Sequence, residues 1–299
     1  MDEFEDQIPI IRGDQSRRFL FEGADIRGET VQLADAFRDI TAIHEYAPGV
    51  RRLLGEVLAA AVLLRSTLKF DGKLILQARS GGQIPLLMAE CNNAGEVRGI
   101  ARGAETATAT HFDQLLGDGQ LAITVDPQQG NRYQGIVPLS GNSLAHSLDA
   151  YFQQSEQLQT RFWLASDDEG AGGLLLQQLP AQLASDPQQR ADQWAHACTL
   201  AGTIQPPELL ELPTEELLYR LYHEDTLRLF EPAPVRFSCS CSRERTMYAL
   251  SALGAAEVED LLQEQGSVTM DCEFCNQQYR YVREDLQDIL GAEQQPTLH

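Results

Sequence analysis

Four of the six cysteines fall within 37 consecutive positions, as Cys239-Ser240-Cys241 and Cys272-Glu273-Phe274-Cys275. No other feature limits the fold of this chain as much. Zinc takes four ligands tetrahedrally, with thiolate sulfur at about 2.3 Å, and two close pairs drawn from distant positions supply that number. The second pair lies between strand-like segments at 267–270 and 279–281, as in a zinc-ribbon hairpin, and helices are predicted over 243–253 and 255–265. With no histidine partner and no open position, a structural tetrathiolate site ranks ahead of free thiols or permanent disulfides. Residues 1–6 are acidic where a secretory leader would be basic and then apolar, so an unexported, cytoplasmic protein is expected. In a reducing compartment clustered thiols bind metal or carry redox chemistry.

A domain of roughly 60 residues buries little core and is marginal alone. Structural zinc supplies an apparent 10–16 kcal/mol or so of folding free energy, against a total of about 5–15 kcal/mol for a typical domain. Loss of the metal should therefore unfold this region. Oxidation removes the metal directly, because the thiolate is both ligand and reactive form. Cys272 and Cys275 have a spacing that closes readily. Cys239 and Cys241 are about 7 Å apart at full extension, so a bond between them needs a bent chain.

Ahead of the cysteines the chain reads as a large α+β domain, 1–181, then a helical segment, 182–233, then the zinc domain with its polar tail, 234–299. The first part alternates short strands with helices, including one opened by Pro48 with Val50, Leu53, Leu54, Val57, Leu58, Ala61 and Leu64 as its buried stripe. Hairpins beside segregated helices argue against a doubly wound parallel sheet. In the middle part, Pro206-Pro207 and Pro213 break the predicted helices 191–204 and 207–224.

Lys+Arg 23 against Asp+Glu 44 gives a net charge of −21, which repels nucleic-acid backbones and anionic membranes. The longest apolar run, 57–64, is far short of the roughly 18 residues of a membrane span. No phosphate loop or Ser-His-Asp order stands out, and nothing argues for an enzyme.

At this level the chain closely resembles the 33-kDa chaperonin family of bacteria, the redox-regulated heat-shock holdases. The CxC…CxxC pattern matches, as do Cys241-Ser242-Arg243-Glu244-Arg245, Leu221-Tyr222-His223-Glu224, Arg132-Tyr133-Gln134-Gly135, Phe19-Leu20-Phe21-Glu22, Leu68-Lys69-Phe70-Asp71-Gly72 and the stretch from Tyr151 to Leu158. The resemblance implies an ATP-independent chaperone, zinc-bound and inactive when reduced. It implies that oxidation pairs Cys239 with Cys241 and Cys272 with Cys275, releases zinc and unfolds the linker. Unfolded clients are then held for ATP-dependent foldases, and family members dimerise. Two departures are Asn276, where such knuckles often have Gly, and Thr246, where some relatives carry another Cys. Asn tolerates the left-handed conformation, so the turn should be kept.

Leu209, Leu210, Leu217, Leu218, Leu221 and Phe230 form a candidate client-binding face, although ordinary core packing explains them too. The two roles are compatible if a covered face is later exposed. Cys91, in an apolar strand, reads as an inert buried thiol, and Cys198, on the predicted linker helix, chiefly as packing. Two rival functions remain: a zinc-ribbon docking module, which the excess of acids over bases in 234–291 disfavours, and a thiol-disulfide oxidoreductase, whose CxxC would open a helix rather than a hairpin.

Overall fold

In the computed structural model the helix opened by Pro48 (α2, Pro48–Thr67) is buried at every position from Val57 to Arg65. A helix apolar all round needs partners on both sides, and two six-stranded sheets supply them. The structure describes residues 13–68, 71–139, 141–155 and 158–291. Residues 1–6, Lys69, Phe70, Glu156, Gln157 and the polar Gln294-Gln295-Pro296 lie outside these.

The first sheet runs β10-β1-β2-β9-β8, from β1 (Gln15–Phe21), β2 (Ile26–Leu33), β8 (Thr160–Ser166), β9 (Ala171–Gln178) and β10 (Leu227–Leu229), with β11 (Ala233–Pro234) also on β1. The second runs β12-β5-β4-β3-β6-β7, from β3 (Gly72–Ser80), β4 (Leu86–Asn92), β5 (Glu96–Arg102), β6 (Gly119–Pro127), β7 (Tyr133–Pro138) and β12 (Arg236–Phe237). All described pairings are antiparallel except β12 on β5. With α1 (Asp35–Thr41), α3 (Phe112–Leu116) and α4 (Leu144–Ser155), this is the expected α+β architecture. Glycines let α2 approach both sheets. A Cβ on Gly99 would stand 2.8 Å from Leu58, and one on Gly173 2.7 Å from Leu63.

The other face of the first sheet is covered by α5 (Pro187–Ala201), α6 (Pro206–Glu211) and α7 (Thr214–Tyr222). Leu209, Leu217, Leu218, Leu221 and Tyr222 pack there on Phe19, Phe21, Ile26, Leu174 and Leu176. Polar ties accompany this second core. Gln32 donates to the Leu212 carbonyl at 2.7 Å, and the buried Thr30 and Thr214 hydroxyls lie 3.1 Å apart. At the head of the segment, the Asp25 carboxylate accepts N–H groups from Gln182 and Leu183 at 3.0 Å and from Ala184 at 3.4 Å, and pairs with Arg190 at 2.7 Å.

The chain therefore packs as two units rather than three, one ending at Ser238 and one beginning at Cys239. Segment 182–233 belongs to the first because its leucines have the sheet face to bury them. The junction falls at 239, not 234, because the strap from Leu227 to Phe237 edges both sheets, with β10 and β11 on β1 and β12 on β5. Gly95, at φ +71°, admits that strap: a Cβ there would meet the Pro234 carbonyl oxygen at 2.2 Å.

The second unit contains α8 (Arg243–Ser251), α9 (Ala255–Gln265), the hairpin β13 (Val268–Asp271) and β14 (Gln278–Tyr281), a 3-10 turn at Arg283–Leu286, and α10 (Gln287–Gly291). Among the described residues its core cluster is Leu250, Val258, Leu262, Val268, Tyr281 and Leu286. Among the described residues no helix is long and apolar enough to cross a membrane.

Candidate metal centre

The second cysteine pair is shaped by the β13–β14 hairpin. Cys272 N–H donates to the Gln277 carbonyl at 2.9 Å, and the N–H groups of Cys275 and Asn276 return to the Cys272 carbonyl at 3.2 and 2.7 Å. Asn276 takes φ +55°, so it occupies the left-handed position foreseen for it. The first pair leads straight into α8, whose N-cap Ser242 accepts from Arg245 N–H at 3.2 Å. The Arg245 guanidinium donates to the carbonyl and hydroxyl of Ser240, at 2.8 and 2.7 Å, and so braces the turn between the two cysteines.

Arg243 and Tyr281 draw the two turns together. The Arg243 guanidinium lies 4.2 Å over the Tyr281 ring, donates to the Arg280 carbonyl at 2.9 Å and pairs with Asp285 at 2.8 Å. Tyr281, fully buried, donates its hydroxyl to the Arg243 carbonyl at 2.8 Å and also meets the Thr246 hydroxyl. Sequence reasoning missed these bracing roles. Their one available signal is the alternation of Tyr279 and Tyr281, which places both on one face of β14.

The result is a four-sulfur cluster. Cys239 and Cys272 Sγ are 3.6 Å apart, Cys241 and Cys275 Sγ 3.4 Å, and all four lie within 4.8 Å of one another. A tetrahedron with metal–sulfur bonds of about 2.3 Å has edges of about 3.8 Å, whereas a disulfide holds its sulfurs at about 2.05 Å. These separations fit ligands around one ion. Burial, then the crowding of neighbouring thiols, raises both Cys272 and Cys275 above the ordinary thiol range, although the N–H groups of Phe274 and Gln277 pull the other way. Four such sulfurs can ionise together around a divalent cation, which offsets their mutual repulsion. The Tyr279 hydroxyl donates to Cys241 Sγ at 3.1 Å and is itself pushed up to about 12, first by that bond and then by burial.

The remaining candidates lie elsewhere. Leu209, Leu217, Leu218 and Leu221 are buried on the first sheet, and Leu210 and Phe230 are half-buried. Cys91 is buried in β4, its thiol pushed up to about 12 by burial. Cys198 is half-buried on α5 and pushed up to about 11 by the same cause. Neither joins the cluster.

A family model described as Hsp33 protein matches residues 14–282. The 33 kDa chaperonin of Pseudomonas aeruginosa strain UCBPP-PA14 is 53% identical over 282 residues, 93% of this chain and 95% of that one. Those of Azotobacter vinelandii and Pseudomonas syringae pv. tomato are 52% and 50% identical, over 93% of this chain and 95% and 94% of theirs. The crystal structure of the 33 kDa chaperonin from Thermotoga maritima, 22% identical, aligns with a TM-score of 0.79 over 93% of this chain and 98% of that one, so the two share a fold.

Proposed function

The chain belongs to the Hsp33 family, and from that premise we propose that it is an ATP-independent holdase switched on by oxidation of its four-cysteine centre. Such a protein is a chaperone and not an enzyme: it holds unfolded clients. The observation that carries the switch is the cluster itself, four thiols at ligand separation on a unit whose described core centres on a small cluster of six buried residues. Zinc is the metal proposed, held by Cys239, Cys241, Cys272 and Cys275. When bound, it supplies a fixed point that ties the two turns together.

A peroxide-class oxidant acts on the sulfurs. One thiolate attacks an oxygen, the O–O bond breaks, hydroxide leaves and the sulfur becomes a sulfenic acid. A second thiolate then displaces hydroxide from that sulfur and closes a disulfide. The pairs proposed are Cys239–Cys241 and Cys272–Cys275. Cys239 and Cys272 Sγ at 3.6 Å, and Cys241 and Cys275 Sγ at 3.4 Å, are within reach of each other too, so cross-motif pairing is the alternative product that the disulfide-linked peptides distinguish.

Without its tie the small unit loses most of its stability. Cys239 follows the strap after Ser238 alone, and the strap's strands are two or three residues long. Helices α6 and α7, with six and nine residues, depend on packing. We propose that segment 182–233 is the redox-sensitive linker and that its release bares Leu209, Leu210, Leu217, Leu218, Leu221 and Phe230 to clients. A cytoplasmic homodimer that passes clients to ATP-dependent foldases completes the proposal.

The test measures metal, free thiols and disulfide-linked peptides before and after peroxide, alongside light scattering from a heat-unfolding model protein. One zinc per chain is expected when reduced, lost together with four thiols as suppression of scattering appears. Zinc retained in the fully oxidised, active protein would refute the switch.

A further inference from the structure

We infer that Tyr279 is a positioning residue of the metal centre whose hydroxyl damps the reactivity of one particular sulfur, that of Cys241. The inference rests on the cluster being a thiolate metal site. Tyr279 and Tyr281 leave β14 on the same face, opposite Met270 and Val268 of β13. Their hydroxyls have separate destinations. That of Tyr281 goes to the Arg243 carbonyl at 2.8 Å, and that of Tyr279 to Cys241 Sγ at 3.1 Å. Cys272 and Cys275 draw donors from the backbone, the N–H groups of Phe274 and Gln277. For Cys241 the donor is a side chain, removable by deleting one oxygen.

A thiolate that accepts a hydrogen bond gives up charge density. It donates less to a metal and attacks an electrophile more slowly. The step affected is the first of the oxidation. Cys241 sulfur loses two electrons to the peroxide oxygen, the O–O bond breaks and hydroxide leaves. Closure with a second thiolate follows from whichever sulfur reacts first, so Tyr279 biases the centre against starting at Cys241. A hydrogen bond to a charged acceptor is worth about ten- to a hundredfold, and roughly half of it on a logarithmic scale is felt as the sulfur attacks, which gives a three- to tenfold effect on rate.

The experiment compares full-length reduced protein with its Tyr279→Phe and Tyr281→Phe variants, each loaded with zinc or with cobalt. In Tyr279→Phe the sulfur-to-cobalt charge-transfer band should move to lower energy. The ratio of Cys241 to Cys239 alkylation by iodoacetamide should rise about three- to tenfold, and peroxide-triggered zinc release should quicken. Tyr281→Phe deletes a hydroxyl from the same hairpin without touching sulfur, so it should lower thermal stability and leave band and ratio in place. An unchanged band and ratio in Tyr279→Phe, or equal changes in both variants, would overturn the assignment. Should the unsubstituted protein keep its zinc through peroxide, the proposed switch fails, while the alkylation ratio still decides the role of Tyr279.

Discussion

Replacing Asp25 by Asn should loosen the grip of the first sheet on the segment after it, although no cysteine is touched. Asp25 is 6% exposed and accepts from three consecutive backbone N–H groups, those of Gln182, Leu183 and Ala184, as well as from Arg190. Arg190 in turn donates to the Leu179 carbonyl at 2.7 Å. Helix α5 fully buries Ala197 and Ala201, whose methyl groups contribute about 2 kcal/mol together, and half-buries Trp194, Cys198 and Leu200 against the same core. Removing one partner of a buried ion pair costs about 3–5 kcal/mol. Asn keeps one acceptor oxygen, so the lower figure, about 3 kcal/mol, is the expectation, equal to opening roughly a hundred times more often. The assay is amide exchange on the reduced, metal-loaded protein. Protection at Leu183, Ala184 and through α5 should fall by that factor, while the β3–β6 ladder stays protected. Unchanged protection at Leu183 and Ala184 would refute the reasoning that this clasp holds the head of the segment on the sheet. Burial alone would raise the Asp25 carboxyl, but its N–H donors and Arg190 hold it below its ordinary 3.8. Its contribution is therefore complete above 3.8 and disappears only as pH falls through the lower folded value.

Stripping the metal with a strong chelator should melt α8, α9 and the β13–β14 hairpin and leave the two large sheets intact, as seen by amide exchange; a second unit that stays protected would show its six-residue core to be sufficient. Burial raises the Glu29 carboxyl to about 7, with Arg18 and the hydroxyls of Ser16 and Ser66 only partly offsetting it. Its folded value lies above its unfolded one, so its contribution is complete below about 4.5 and lost as pH rises through about 7. Urea midpoints should decline across that window in the unsubstituted protein and more weakly in Glu29→Gln. Cys91→Ala should leave metal content and the loss of four thiols on oxidation unchanged, because burial keeps that thiol protonated; a fall in zinc by atomic absorption would contradict it.

The features legible in the sequence are those whose signal is local. Helix Ala255–Gln265 is predicted and observed over the same residues, and the strand at 73–79 widens by one residue at each end. The four thiols meet because CxC and CxxC turns carry their own geometry. What the sequence hid depends on partners far along the chain. Asp25 reaches Gln182 across 157 residues and Gln32 reaches Leu212 across 180, so no periodicity announces that α5–α7 belong to the first unit. Strands β11 and β12, with two residues each, are too short to show a period, so the sequence does not mark where the strap ends and the cysteine unit begins. Tyr279 was legible only as part of a strand, because its donation to Cys241 depends on a sulfur 38 positions away.

The strap that edges both sheets has a consequence of its own. By pairing with β1 and with β5 it occupies the outer row of backbone donors and acceptors on each. A strap that lifts leaves two strand edges open at once, each a ready template for another extended chain. Those edges would serve unfolded clients and further copies of the molecule alike. The charge of −21 opposes the second encounter more than the first, since every copy carries it and clients of neutral or basic character do not. Reclosure of the strap then silences both templates in one movement, with β1 and β5 capped by the protein's own chain.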